Sequence, residues 1–143
     1  IVVRARDYYW TPQPRGKQAQ QYGNTGCMYY RTTGIWQTVW MEPVPDVHLR
    51  RSRLTPDVAN GVIVLDQPLS NNKLGFRLRA TMRDENGVVC KEETRADLDL
   101  SPRVYLKIPQ DRVRLWSTSD PHLYDITIEL LDARGRVLDK AES

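Results

Sequence analysis

The chain has 143 residues, 40% of them hydrophobic and 27% charged, with a formal net charge of +3. That length buries one ordinary core and at most a small second unit. No run of about 18 apolar residues occurs, and Ile1-Val2-Val3 is followed at once by Arg4, so neither a membrane-spanning helix nor a signal-peptide core is written in it.

The first element is a strand over residues 1–6. Because the chain opens on Ile rather than Met, and already inside a strand-like run, we expect that a preceding stretch has been removed. Residues 8–34 are polar and without periodicity, a connection too long for a compact domain unless it is functional or its surroundings are missing. Residues 35–42 form the next strand, with Ile35, Val39 and Met41 on one face and Trp36 and Trp40 on the other, a pattern suited to burial between two layers. An opening strand over 47–54 follows, its exposed positions basic, and then Val62-Ile63-Val64-Leu65, an apolar run suited to a central strand.

Residues 74–83 alternate cleanly: Leu74, Phe76, Leu78, Ala80 and Met82 share one face, Arg77, Arg79 and Arg83 the other. Asp84-Glu85-Asn86-Gly87 then supplies an Asp that bonds its own turn and a Gly that takes the left-handed conformation, so residues 88–93 return antiparallel. Val104, Leu106 and Ile108 make another one-sided strand. Tyr124, Ile126, Ile128 and Leu130 repeat the pattern, and Asp132-Ala133-Arg134-Gly135 turns the chain into Val137-Leu138. No helix is predicted. About seven short antiparallel strands in about 100 residues is the count of an immunoglobulin-like β-sandwich. No alternation exceeds about ten residues, which argues against a membrane barrel.

Two segments carry a resemblance. The run Arg31-Thr32-Thr33-Gly34-Ile35-Trp36-Gln37-Thr38-Val39-Trp40-Met41-Glu42-Pro43 resembles the junction of glycoside hydrolase family 2, the β-galactosidase and β-glucuronidase group. There an Arg-x-x-Gly-Ile-aromatic-x-x-Val pattern ends a sugar-binding jelly roll and leads into an immunoglobulin-like sandwich. Leu115-Trp116-Ser117-Thr118-Ser119-Asp120-Pro121-His122-Leu123-Tyr124 is similar to the family's Trp-Ser-x-x-x-Pro-x-Leu-Tyr segment late in that sandwich. The resemblance implies an all-β chain in which residues 1–45 are the end of a jelly-roll domain and residues 46–143 the sandwich. It also implies a catalytic (β/α)8 barrel outside this chain, carrying both catalytic glutamates. No Asn-Glu pair stands here to receive those roles, so no catalytic residue is assigned. In known members an Asp three residues before the motif Arg contacts the sugar. Here that position is Met28, which offers a soft apolar surface in place of an acceptor, so the sugar specificity of those members does not transfer.

The candidate substrate-binding residues are Trp10, Arg15, Lys17, Met28 and Arg31: the 8–18 segment combines aromatic faces, amides and cations, and by family analogy it borders the barrel's pocket. Trp36 and Trp40 read as core, and Trp116 and Tyr124 as sandwich anchors, the Tyr hydroxyl needing a partner if buried. Cys27 and Cys90 lack CxxC or Cys/His spacing and His48 and His122 stand apart from them, so no metal, no cofactor and no disulfide framework is indicated. Arginine density at Arg50, Arg51 and Arg53 and at Arg77, Arg79 and Arg83 raises nucleic acid as a partner. A solvated strand face or a surface meeting another domain is the preferred reading, so neither nucleic acid nor membrane is assigned. The expected function is a non-catalytic segment of a larger glycosidase. Its partners are the remaining domains and, through the whole enzyme, carbohydrate; a homo-oligomer and the compartment stay open. The alternative is an independent carbohydrate-binding or protein-interaction sandwich.

Overall fold

A computed structural model describes residues 1–8, 11–19, 21–30 and 32–143, and the chain divides into two compact units, Ile1–Glu42 and Pro43–Ser143. The second unit is all β. Its strands are β1 (Arg53–Asp57), β2 (Val62–Asp66), β3 (Arg77–Asp84), β4 (Gly87–Arg95), β5 (Arg103–Lys107), β6 (Asp125–Leu131) and β7 (Val137–Glu142), with one turn of 3-10 helix at Gln110–Arg112 between β5 and β6. All pairings are antiparallel, in a three-stranded sheet β1-β2-β5 and a four-stranded sheet β4-β3-β6-β7. Against the constant-type immunoglobulin arrangement of ABED over CFG, the fourth strand has moved to the opposite sheet.

The core follows from period-2 patterning. On the four-stranded sheet Leu78 lies opposite Leu130, Ala80 opposite Ile128 and Met82 opposite Ile126, all buried. They meet Leu65, Val104 and Leu106 of the other sheet in one hydrophobic cluster. The outward face of β3 carries the arginines, and they are spent there: Arg77 on Glu93 at 2.7 Å, Arg79 on Glu93 at 3.1 Å and on Glu129 at 3.5 Å.

Both Asp-x-x-Gly turns form as hairpins. Asp84 pairs with Gly87, the Asn86 N–H donates to Asp84 Oδ1 at 2.7 Å, and Gly87 adopts φ +100°. Asp132 Oδ1 accepts from the Arg134 and Arg136 N–H groups at 2.8 and 2.9 Å, closing β6 onto β7.

Four expectations are corrected. Leu74 is 85% exposed and leaves the core face, because Gly75 at φ +84° breaks the extended backbone and β3 starts at Arg77. The strand expected over 47–54 begins only at Arg53, since the preceding donors go elsewhere: His48 N–H to Ser70 Oγ at 2.9 Å, Leu49 N–H to Asp139 Oδ2 at 2.7 Å and Arg50 N–H to the Pro68 carbonyl at 2.8 Å. In the first unit, residues 1–6 and 35–42 are irregular rather than strands, since a strand exists only by pairing and among the described residues no ladder is offered to them. Trp36 and Trp40, read as core, are accordingly 87% and 77% exposed, and Trp116 likewise projects rather than anchors.

Candidate functional site

The first unit is held by turns and isolated bridges. Gly16, at φ +57°, lets the chain fold so that the Gln18 N–H reaches the Arg15 carbonyl at 3.2 Å. The Tyr29 N–H then donates to the Lys17 carbonyl at 2.7 Å, and the Ala19 N–H to the Tyr29 carbonyl at 2.6 Å, burying Ala19. A tight turn through Gly26 brings Thr25 and Met28 into mutual backbone hydrogen bonds of 3.2 and 3.0 Å.

Beside these contacts lies an open pocket of about 370 Å³ lined by Arg15, Gly16, Gln18, Ala19, Gln21, Thr25 and Met28. Arg15 and Met28, two of the candidate binding residues, are thus brought together. Lys17 serves through its backbone carbonyl and does not line the pocket, while Trp10 and Arg31 lie outside the described residues. A guanidinium, two carboxamides and a hydroxyl around a thioether are groups that bond hydroxyl-rich molecules while offering one apolar contact. A second cavity of about 230 Å³ adjoins Gln18 and is walled by Thr32, Thr33, Gly34, Ile35 and Trp36. Trp36 therefore lines a cavity instead of a core. Its strand-like spacing concealed this, and the run of polar Thr32, Thr33 and Gly34 before it was the available signal.

The sandwich carries a polar cluster at one end. Arg112 bonds Asp84 and the carbonyls of Gly87 and Val88; Arg114 bonds Glu85 and Asp120. Tyr124 Oη ties this segment to itself, donating to the Arg112 carbonyl at 2.6 Å and accepting the Arg114 N–H at 2.8 Å, which is the partner expected of a Tyr in this position. The Arg112 guanidinium beside Asp84 holds its carboxyl below the usual carboxylate range. Asp84, Glu85 and His122 could bring ligand atoms within 4.8 Å of one another. Each carboxylate already accepts from a guanidinium, and two arginines this close repel a further cation, so the geometry is that of an ion-pair network. Three acidic residues of β4 and the loop after it are likewise engaged: Glu93 by the β3 arginines, Asp97 by Arg95 and the Gly75 N–H, Asp99 by the Ser101 N–H. Cys27 and Cys90 are free thiols, and burial, with Glu92 nearby, pushes the Cys90 thiol up.

Comparison with known proteins connects these observations. A putative beta-glucuronidase of Formosa agariphila is 25% identical over 114 residues, covering 77% of this chain and 14% of that protein. The beta-galactosidase large subunit of Lactobacillus helveticus is 28% identical over 116 residues, covering 77% of this chain and 18% of its own length. This chain therefore spans less than a fifth of either. Among solved structures, a glycosyl hydrolase family 2 member from Bacteroides cellulosilyticus superposes with a TM-score of 0.56 at 23% identity over 70% of this chain and 15% of that one, a likeness of fold. The model of Glycosyl hydrolases family 2 matches residues 47–143, the same stretch that folds as the sandwich. The antiparallel sandwich and this match over more than half of its length place the chain in glycosyl hydrolase family 2.

Proposed function

We propose that the chain is a non-catalytic segment of a larger family 2 enzyme, a retaining β-glycosidase of the β-galactosidase or β-glucuronidase kind, with residues 46–143 as its sandwich and residues 1–45 as the end of a sugar-binding jelly roll. The observation that carries this reading is the coverage: relatives named for those two activities align across 77% of this chain but only 14% and 18% of themselves. The site supports it, because Asp84, Glu85, Glu93, Asp97, Asp99 and Asp132 of the sandwich are each engaged by an arginine or a backbone donor. Two carboxyls flanking one bond with separated pKa values, the arrangement glycoside hydrolysis needs, are supplied by another domain. In the whole enzyme the sandwich positions neighbouring domains, and the pocket of Arg15 and Met28 completes one edge of the carbohydrate site. Its partners are those domains and carbohydrate, with self-association open.

The test is turnover of a panel of aryl β-glycosides by the 143-residue chain and by the full-length protein. We expect hydrolysis by the full-length protein alone. Comparable turnover by the fragment would overturn the accessory role, and an inactive full-length protein on every glycoside would overturn the activity while leaving the fold intact.

A further inference from the structure

Two Asn-Gly pairs stand in hairpin turns of the sandwich, Asn60-Gly61 between β1 and β2 and Asn86-Gly87 between β3 and β4, and both asparagines are exposed. As dipeptides they are equivalent, because glycine has no Cβ to keep its backbone nitrogen away from the preceding carboxamide carbon. The fold makes them different. Asn60 Nδ2 donates to Asp57 Oδ2 at 2.8 Å, the Gly61 N–H donates to the Val58 carbonyl at 3.3 Å, and the Gly61 carbonyl accepts the Ile108 N–H at 2.8 Å. At Asn86 the N–H is tied to Asp84 Oδ1 at 2.7 Å, but among the described residues none bonds the carboxamide. A Cβ at Gly87 would meet no atom within 4 Å, whereas one at Gly61 would meet Val113 Cγ2 at 3.5 Å, so the space a ring closure needs is open at the second pair.

We propose that Asn86-Gly87 is a site of spontaneous deamidation and isomerisation, and that its isoaspartyl product releases the Arg112 clamp on this hairpin. The Gly87 backbone nitrogen gives up its proton and attacks Asn86 Cγ; the new C–N bond forms, the Cγ–Nδ2 bond breaks, and ammonia leaves carrying that proton. Water then opens the cyclic imide at either carbonyl, leaving an aspartyl side chain or an isoaspartyl linkage in which the main chain runs through Cβ and Cγ. The net change is one water taken up and one ammonia lost. Arg112 spans this turn: Nε donates to Asp84 Oδ2 at 3.1 Å on β3, while Nη1 and Nη2 donate to the Val88 and Gly87 carbonyls at 2.8 and 3.2 Å on β4. An extra main-chain carbon between the two sides moves those carbonyls away from Asp84, and one planar guanidinium no longer satisfies both.

The experiment is storage of the folded chain at mildly alkaline pH, with peptide mapping by mass spectrometry and fragmentation that separates isoaspartyl from aspartyl peptides. Asn86 should convert about tenfold faster than Asn60, a ratio equal to about 1.4 kcal/mol of barrier and within reach of the one charge-assisted bond that Asn60 has and Asn86 lacks. In urea the two rates should converge, and in the folded chain Asp57→Ala should raise the Asn60 rate towards that of Asn86. Equal rates in the folded chain, or a difference that persists in urea, would overturn the site. Purified chromatographically, the isoaspartyl form should melt at least about 4 °C below the fresh chain. Arg112→Gln should lower the midpoint of the fresh chain and lower that of the isoaspartyl form by less than half as much, since both changes remove the same bonds. An isoaspartyl form that melts with the fresh chain, or an undiminished effect of Arg112→Gln on it, would overturn the release of the clamp.

Discussion

Gln67 offers the sharpest test of how this sandwich is held together. It follows β2, its side chain is fully buried, and its amide is nearly saturated: Nε2 donates to the Arg50 carbonyl at 2.7 Å and the Pro68 carbonyl at 2.9 Å, and Oε1 accepts from Ser52 Oγ at 2.5 Å. Gln67→Leu preserves the volume and removes all three bonds. Ser52 is half-buried and can turn to water, and the Pro68 carbonyl keeps the Arg50 N–H at 2.8 Å, whereas the Arg50 carbonyl loses the donor that Gln67 supplied. At about 1 kcal/mol per lost bond and a further 1–3 for a buried acceptor left unpaired, less the gain from burying an apolar side chain, the net loss is about 2–3 kcal/mol, or roughly 10–20 °C in thermal midpoint for a domain of about 100 residues. Urea denaturation followed by circular dichroism reads it as a fall in midpoint at unchanged slope. Ser52→Ala alone should cost under about 1 kcal/mol and add little on top of Gln67→Leu, since both remove one shared bond. A Gln67→Leu protein within about 0.5 kcal/mol of the parent would show that the network is not what fixes this segment.

Three further outcomes are expected. Gly75→Ala should destabilise by about 2–4 kcal/mol in the same assay, because φ is +84° and the new Cβ would lie 2.7 Å from Ala133 Cβ, adding overpacking to backbone strain. Trp36→Ala, at 87% exposure, should leave thermal stability within about 0.5 kcal/mol, against about 3–5 for a core tryptophan. Acid should weaken the sandwich: Asp84 is held below its ordinary 3.8 by Arg112, Asp97 by Arg95 and Asp132 by the Arg136 N–H and guanidinium, and Glu142 below 4.5 by Lys140. Groups with depressed folded values stabilise above their unfolded pKa and lose that contribution as pH falls through the folded one. Melting curves should therefore be level from pH 7 to about 5 and drop below about 4. Asp132→Asn should shallow the drop, and a midpoint that rises on acidification would contradict the assignment.

Local chemistry made the sandwich legible. Alternation over residues 76–83 and 124–130 decides which face is apolar, and a slip of one residue would expose every core side chain, so pattern alone determines register. Asp84 to Gly87 and Asp132 to Gly135 dictate their turns because Asp bonds its own backbone and Gly tolerates positive φ. The Trp-Ser and Arg-x-x-Gly-Ile segments pointed to the family by residue identity, independent of packing. What only tertiary structure decided are the properties that depend on partners distant in sequence. Whether Trp36, Trp40 and Trp116 are covered depends on which surfaces reach them, and their spacing is the same in either case. Residues 35–42 have a strand's composition but no ladder to join. His122 meets Glu85 because two loops converge at one end of the sandwich, and Arg15 and Met28 line one pocket because backbone hydrogen bonds between residues 17–19 and Tyr29 close the chain between them. Neither proximity has a local sequence signal, because hydrogen bonds across a closed loop are chosen by geometry that exists only once the chain has folded.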